Sequence, residues 1–205
     1  MIELSLDKNL RSLFQFVASA HSFYGATNYV LLETFKEKFR LTATNRISLI
    51  RYTEFAKIEQ TEELNKYLLD PDSLVSLFKA FPKKKRKSER QTIKLEIGTD
   101  NYTASIDDIK IMKSSLCEQA DLFPLVDFLF THSVKEKTEE SKLVQATYSY
   151  VSILQQACIL KILNKTQSKY AIKWNSFSDR MTFSTDPESS FSIIDGVIMG
   201  TSSSF

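Results

Sequence analysis

Glycine and proline are scarce in this chain, four of each in 205 residues, and no Gly-rich turn leads into a helix. A phosphate-cradling nucleotide loop is therefore excluded. Histidine occurs twice, at His21 and His132, and neither sits in a catalytic or metal-binding pattern. Cys117 and Cys158 lie far apart without a Cys-x-x-Cys partner, which argues against a zinc site and for two thiols in a reducing compartment. No apolar run approaches the ~20 residues of a membrane helix. The first residues lack the charged and apolar regions of a secretory signal. Adjacent carboxylates at Asp107-Asp108 and Glu139-Glu140 would face opposite ways on a strand, which disfavours shared metal binding. The lone Trp174 reads as core. The expectation is a cytoplasmic protein with no catalytic constellation, no metal, no cofactor and no membrane contact.

What is present suits a packed molecule. Hydrophobic residues make up 42% and charged residues 25%, enough for a core and too apolar for global disorder. The length fits one large domain or two small ones. Lys, Asn, Ser, Phe and Ile are used freely, as in AT-rich genomes. The net charge is only +2, but it is uneven, with one dense basic cluster.

Periodicity organises the chain into three similar units. Ile2 to Leu6 alternates as a strand, and Asp7 can cap a helix over Lys8–His21 with Leu10, Leu13, Phe14 and Val17 on one face. After a turn at Gly25 come strands at Tyr29–Thr34, Phe39–Thr44 and Ile47–Tyr52, the last two joined by a tight turn at Asn45-Arg46. Residues 53–64 read as loop or edge strand. The second unit has a strand at Lys66–Asp70 and a helix from Pro71 to about Phe81, capped by Asp70. Its core face is Leu74, Leu77, Phe78 and Phe81; Asp72, Ser76 and Lys79 face away. Strands at Thr92–Ile97 and Tyr102–Ile106 flank the hairpin Gly98-Thr99-Asp100-Asn101, and Asp108–Lys113 adds a last strand. Residues 114–142 read as linker. The third unit has a strand at Leu143–Ala146, a helix at Tyr148–Asn164, and strands at Tyr170–Trp174, Arg180–Ser184 and Phe191–Met199. Strand, helix, then two or three strands thus recurs three times, with slight identity between copies.

In this setting the segment Leu41-Thr42-Ala43-Thr44-Asn45-Arg46-Ile47-Ser48-Leu49-Ile50-Arg51 resembles a signature of the bacterial DNA polymerase III beta sliding clamp family. Tyr29-Val30-Leu31-Leu32-Glu33, the turn Phe35-Lys36-Glu37-Lys38, the helix start Leu68-Leu69-Asp70-Pro71-Asp72-Ser73-Leu74-Val75-Ser76-Leu77-Phe78 and the pair Phe123-Pro124 are similar to it too. The resemblance implies an α+β fold of DNA-clamp-like repeats, with antiparallel sheets outside and helices on one face. It covers residues 1–125 as one complete domain, with 126–142 as linker and 143–205 as a partial second domain. That is shorter than the family's three domains, as in a fragment or a reduced phage, viral or plasmid form. It implies a non-catalytic processivity factor and homo-oligomer. The expected partners are double-stranded DNA, a DNA polymerase and a clamp loader, in a bacterial or phage-infected cell.

Such a ring needs basic helix faces that attract phosphates without reading bases. The candidates are Lys8, Arg11 and Gln15, then Lys79, then Lys161 and Lys165. Lys83, Lys84, Lys85, Arg86, Lys87 and Arg90 form a denser basic loop suited to a polyanion. In a eukaryotic host, Pro82 to Lys87 would also match a nuclear import signal. A second reading comes from Gln119-Ala120-Asp121-Leu122-Phe123, which resembles the peptide by which polymerases bind the beta clamp. Gln119, Asp121, Leu122 and Phe123 would then make this chain an adaptor on a separate sliding clamp. The competing reading has Leu122 and Phe123 packing the linker onto the first domain.

Overall fold

The computed structural model describes residues 1–6, 25–45, 48–58, 64–79, 91–117, 120–131, 172–176, 180–185 and 192–199. The expected helices at 8–21 and 148–164 and the expected strand at 143–146 lie outside them.

Within the described residues, twelve strands form one antiparallel sheet. The first unit supplies β1 (Ile2–Leu6), β2 (Val30–Phe35), β3 (Lys38–Thr44), β4 (Ser48–Phe55) and the short β5 (Lys57–Ile58). The second supplies β6 (Asn65–Leu69), helix α1 (Pro71–Lys79), β7 (Gln91–Ile97), β8 (Asn101–Ile106) and β9 (Ile109–Cys117). A 3-10 turn (Ala120–Leu122) and a one-turn helix α2 (Phe128–Thr131) follow, then β10 (Ile172–Ser176), β11 (Arg180–Thr185) and β12 (Ser192–Met199). The sheet order is β10-β11-β12-β4-β3-β2-β6-β9-β8-β7-β1-β5.

That order interlocks the first two units. The opening strand of each pairs with the second strand of the other: β1 with β7, and β6 with β2. Each unit then continues as a meander, β2-β3-β4 and β7-β8-β9. Neither unit completes its own sheet, so the two depend on each other for hydrogen bonding. The third unit joins through β12, which pairs with β4 from Ser192↔Glu54 to Ile198↔Ser48.

Local chemistry explains the elements. The Asp70 carboxylate accepts from the Ser73 amide at 2.7 Å and hydroxyl at 2.6 Å, and Pro71 occupies the first helical position, so α1 starts where the cap dictates. Leu74 and Leu77 are buried, while Asp72, Ser76 and Lys79 are exposed, matching the amphipathic pattern. In the β3–β4 turn, Asn45 Oδ1 accepts from the Ser48 amide at 2.8 Å, fixing the register Thr44↔Leu49. The two-residue turn between β8 and β9 places Asp107 and Asp108 at positive φ, which short acidic side chains tolerate.

The main core joins Val30, Leu32, Phe39, Leu41, Ala43, Ile50 and Tyr52 to Leu74 and Leu77 of α1 and to Ile93, Leu95, Tyr102, Ala104 and Ile106. By strand alternation, Leu31, Glu33, Arg40, Thr42, Thr44, Leu49 and Arg51 point to the opposite, outer face. The expected linker at 114–142 is strand in its first residues, 114–117. β9 runs on to Cys117 and pairs Leu116 and Cys117 with Leu69 and Leu68 of β6. The chain then folds over the outer face of β2–β4.

Candidate docking groove on the outer face

The segment 120–131 is held down at two points. Phe123 is 5% exposed and packs with Leu31 and Leu68 in a second, smaller cluster. Pro124 follows, unable to donate a backbone hydrogen bond. Further on, Asp127 accepts from Arg51 Nη1 and lies 3.7 Å from Arg40 Nη1, while the Arg51 guanidinium sits 3.7 Å over the Phe130 ring.

Between these anchors lies a groove of about 420 Å³. One wall is Leu122, Pro124, Leu125, Val126 and Leu129; the other is the turn Gly25–Ala26–Thr27 with Thr44 and Leu49 of the hairpin. Gly25 has φ +57°, a left-handed turn that a side-chain residue would resist. Leu122 and Leu125 remain 66% and 81% exposed, so the rim offers apolar surface. Apart from Thr27 and Thr44 the lining is apolar or glycine, a surface suited to apolar side chains. Among the described residues, no cluster of His, Cys, Asp and Glu is placed to hold a metal, and no helix is long and apolar enough to cross a membrane.

Arg51 is the electrostatic centre of this face. It is 8% exposed, and Asp195 Oδ2 of β12 lies 3.6 Å from its Nη2. Burial, and then the neighbouring Arg40 charge, pull the Arg51 guanidinium below its ordinary value; Asp195 and Asp127 oppose this. Arg40 in turn lies 3.6 Å from Glu33.

Of the sequence-derived candidates, Lys79 is exposed at the end of α1. A lysine there also complements the helix dipole. Lys8, Arg11, Gln15, Lys83, Lys84, Lys85, Arg86, Lys87, Arg90, Lys161, Lys165 and Gln119 lie outside the described residues. Asp121 and Leu122 are exposed, whereas Phe123 is committed to the chain's own cluster. Sequence reasoning missed the groove wall at Leu125, Val126 and Leu129, and the Arg51–Asp127–Asp195 cluster. The apolar spacing after Phe123-Pro124 was the available signal for the wall.

No protein-family model and no curated protein matches the chain by sequence. Solved structures do match. The DNA polymerase sliding clamp of Pseudomonas aeruginosa aligns over 100% of this chain and 66% of its own, with TM-score 0.65 and 12% identity. The DNA polymerase III beta subunit of Thermotoga maritima aligns over the same shares, with TM-score 0.66 and 11% identity. The fold is that of the sliding clamps. A. fulgidus PCNA, solved with the C-terminal region of FEN-1 bound, covers 100% of both chains with TM-score 0.64 and 8% identity. This clamp-fold chain spans about two thirds of the length of the bacterial clamps it matches.

Proposed function

We propose that this chain is a sliding-clamp-like processivity factor, a non-catalytic protein that associates with duplex DNA irrespective of sequence and tethers a polymerase to it. The observation that carries the reading is the interlocked sheet, in which β1 crosses to β7 and β6 to β2, in a fold aligned with clamps over the whole chain. Residues 1–125 would be the complete clamp-like domain, 126–142 the connection and 143–205 the partial second domain. DNA would be held through phosphates by Lys79 and by Lys8, Arg11, Lys161 and Lys165 of the helices expected from the sequence, with the basic run at 83–90 adding charge.

Two surfaces fit the remaining requirements. The outer groove would receive a segment of a polymerase or another client; the bound FEN-1 segment on A. fulgidus PCNA is a precedent for a clamp fold taking a chain terminus. The edge of β9 facing away from β8 has no strand against it over 109–115 among the described residues. Ile109, 71% exposed, and Ile111, 36% exposed, stand beside that edge. An open edge with apolar neighbours is a template for pairing, here with a second copy. Sedimentation equilibrium at micromolar concentration tests this. The expected result is a dimer or larger, reduced toward monomer by Ile109→Lys/Ile111→Lys. A strict monomer would count against a self-sufficient ring.

A further inference from the structure

We propose that Arg51 couples the outer groove to the β4–β12 junction, so that seating of the groove wall and closure of the junction stabilise each other. As regulation of the groove this rests on the docking role proposed above; as a coupling between two parts of the chain it stands without it.

The geometry is a registered polar row with one residue shared. Thr42 of β3, Arg51 of β4, Asp195 of β12 and Ser184 of β11 lie opposite one another in successive strand pairs. Asp195 uses one oxygen toward Arg51 and accepts the Ser184 hydroxyl at 2.6 Å with the other. Arg51 points its second nitrogen at Asp127 of the groove wall and stacks under Phe130. A guanidinium is a rigid planar fork, so the orientation that serves Asp195 is the one that serves Asp127 and Phe130.

Burial sharpens the sharing. The Arg51 side chain is 10% exposed and has Arg40 beside it, so its charge needs both carboxylates. Lifting the 122–130 segment removes Asp127 and Phe130 and leaves Asp195 facing a guanidinium with more freedom to turn. Parting β12 from β4 removes Asp195 and loosens the post on which the groove wall is fastened. A partner seated in the groove against that wall would therefore tighten the junction between the first and third units, and an opened junction would weaken the groove. Two contacts that share one side chain are coupled in this reciprocal way.

Hydrogen–deuterium exchange on the full chain tests it without any partner, so the groove's docking role can fail independently. Asp127→Asn should speed exchange of the β12 amides, and Asp195→Asn should speed exchange in 122–130, each by about threefold or more, as expected for residues sharing one contact. The β7–β8 amides serve as the internal reference against global unfolding. Asp121→Asn, an exposed carboxylate in the same segment, should leave β12 unchanged, and Asp127→Glu should restore most of the protection. Faster exchange confined to each variant's own segment, or slower exchange at the distant one, would overturn the proposal.

Discussion

Phe123→Ala separates a packed segment from a presented one. Phe123 is 5% exposed and fills the cluster with Leu31 and Leu68, bordered by Ala26, Tyr29, Cys117 and Ala120. Removing a buried phenyl ring costs about 3–5 kcal/mol, and this small, near-surface cluster belongs at the lower end, about 3 kcal/mol. For a chain of this size that corresponds to a melting midpoint lower by roughly 6–12 °C. Leu122, 66% exposed, should change stability by no more than about 0.5 kcal/mol when cut to Ala. Urea denaturation reads both, with the slope unchanged if only the native state is affected. The adaptor reading of Gln119–Phe123 requires Phe123 to leave its cluster for another clamp. That extraction would weaken capture by roughly a hundredfold at about 3 kcal/mol. An unchanged midpoint for Phe123→Ala, or a larger effect at Leu122, would refute the packing argument and revive the adaptor.

Two further perturbations probe the sheet. Gly196 lies opposite Phe183, and a Cβ there would run into the Phe183 ring, so Gly196→Ala should destabilise by about 1–3 kcal/mol. A second change of Phe183→Leu should recover part of that loss in thermal melts; simple additivity would contradict the close approach. The Tyr102 side chain is buried, and burial is the main cause that pushes its pKa from 10.0 up to about 12; the nearby Ser114 and Ser73 hydroxyls pull it down and the Asp70 charge pushes it up. The unfolded phenol ionises first, so this contribution is intact below pH 10 and lost as pH rises through 12, about 3 kcal/mol in all. Tyr102→Phe should flatten that part of the stability–pH curve, and an identical alkaline slope would show that Tyr102 is not its source.

Much of the strand pattern was legible because alternation and turn chemistry are local. The β3–β4 hairpin, the Asp70-Pro71 helix start and the Gly98–Asn101 turn all follow from residues within a few positions of one another. The crossing of β1 to β7 and β6 to β2 was not legible, since it joins residues about 90 and 40 positions apart that carry no matching motif. Alternation places Thr42, Thr44 and Arg51 on the outer face but does not foretell that all three are buried, Thr44 against the groove wall and Arg51 against Asp127 and Phe130. Packing of Leu122 and Phe123 onto the first domain was one reading within 114–142, and Phe123 is buried while Leu122 is exposed; the wall beyond them at Leu125, Val126 and Leu129 had not been read. The same segment builds the groove, so the candidate site was missed with it. Of the positions proposed for a basic lining, only Lys79 falls within the described residues.

The most direct test of a clamp is topological. Protomers dissociated by dilution would be concentrated in the presence of nicked circular duplex DNA, then challenged with salt high enough to release phosphate-bound protein. A clamp should stay on the circle through the challenge and leave when a single restriction cut linearises it. Equal salt sensitivity on circular and linear DNA would contradict encirclement and reduce the DNA association to ordinary electrostatics.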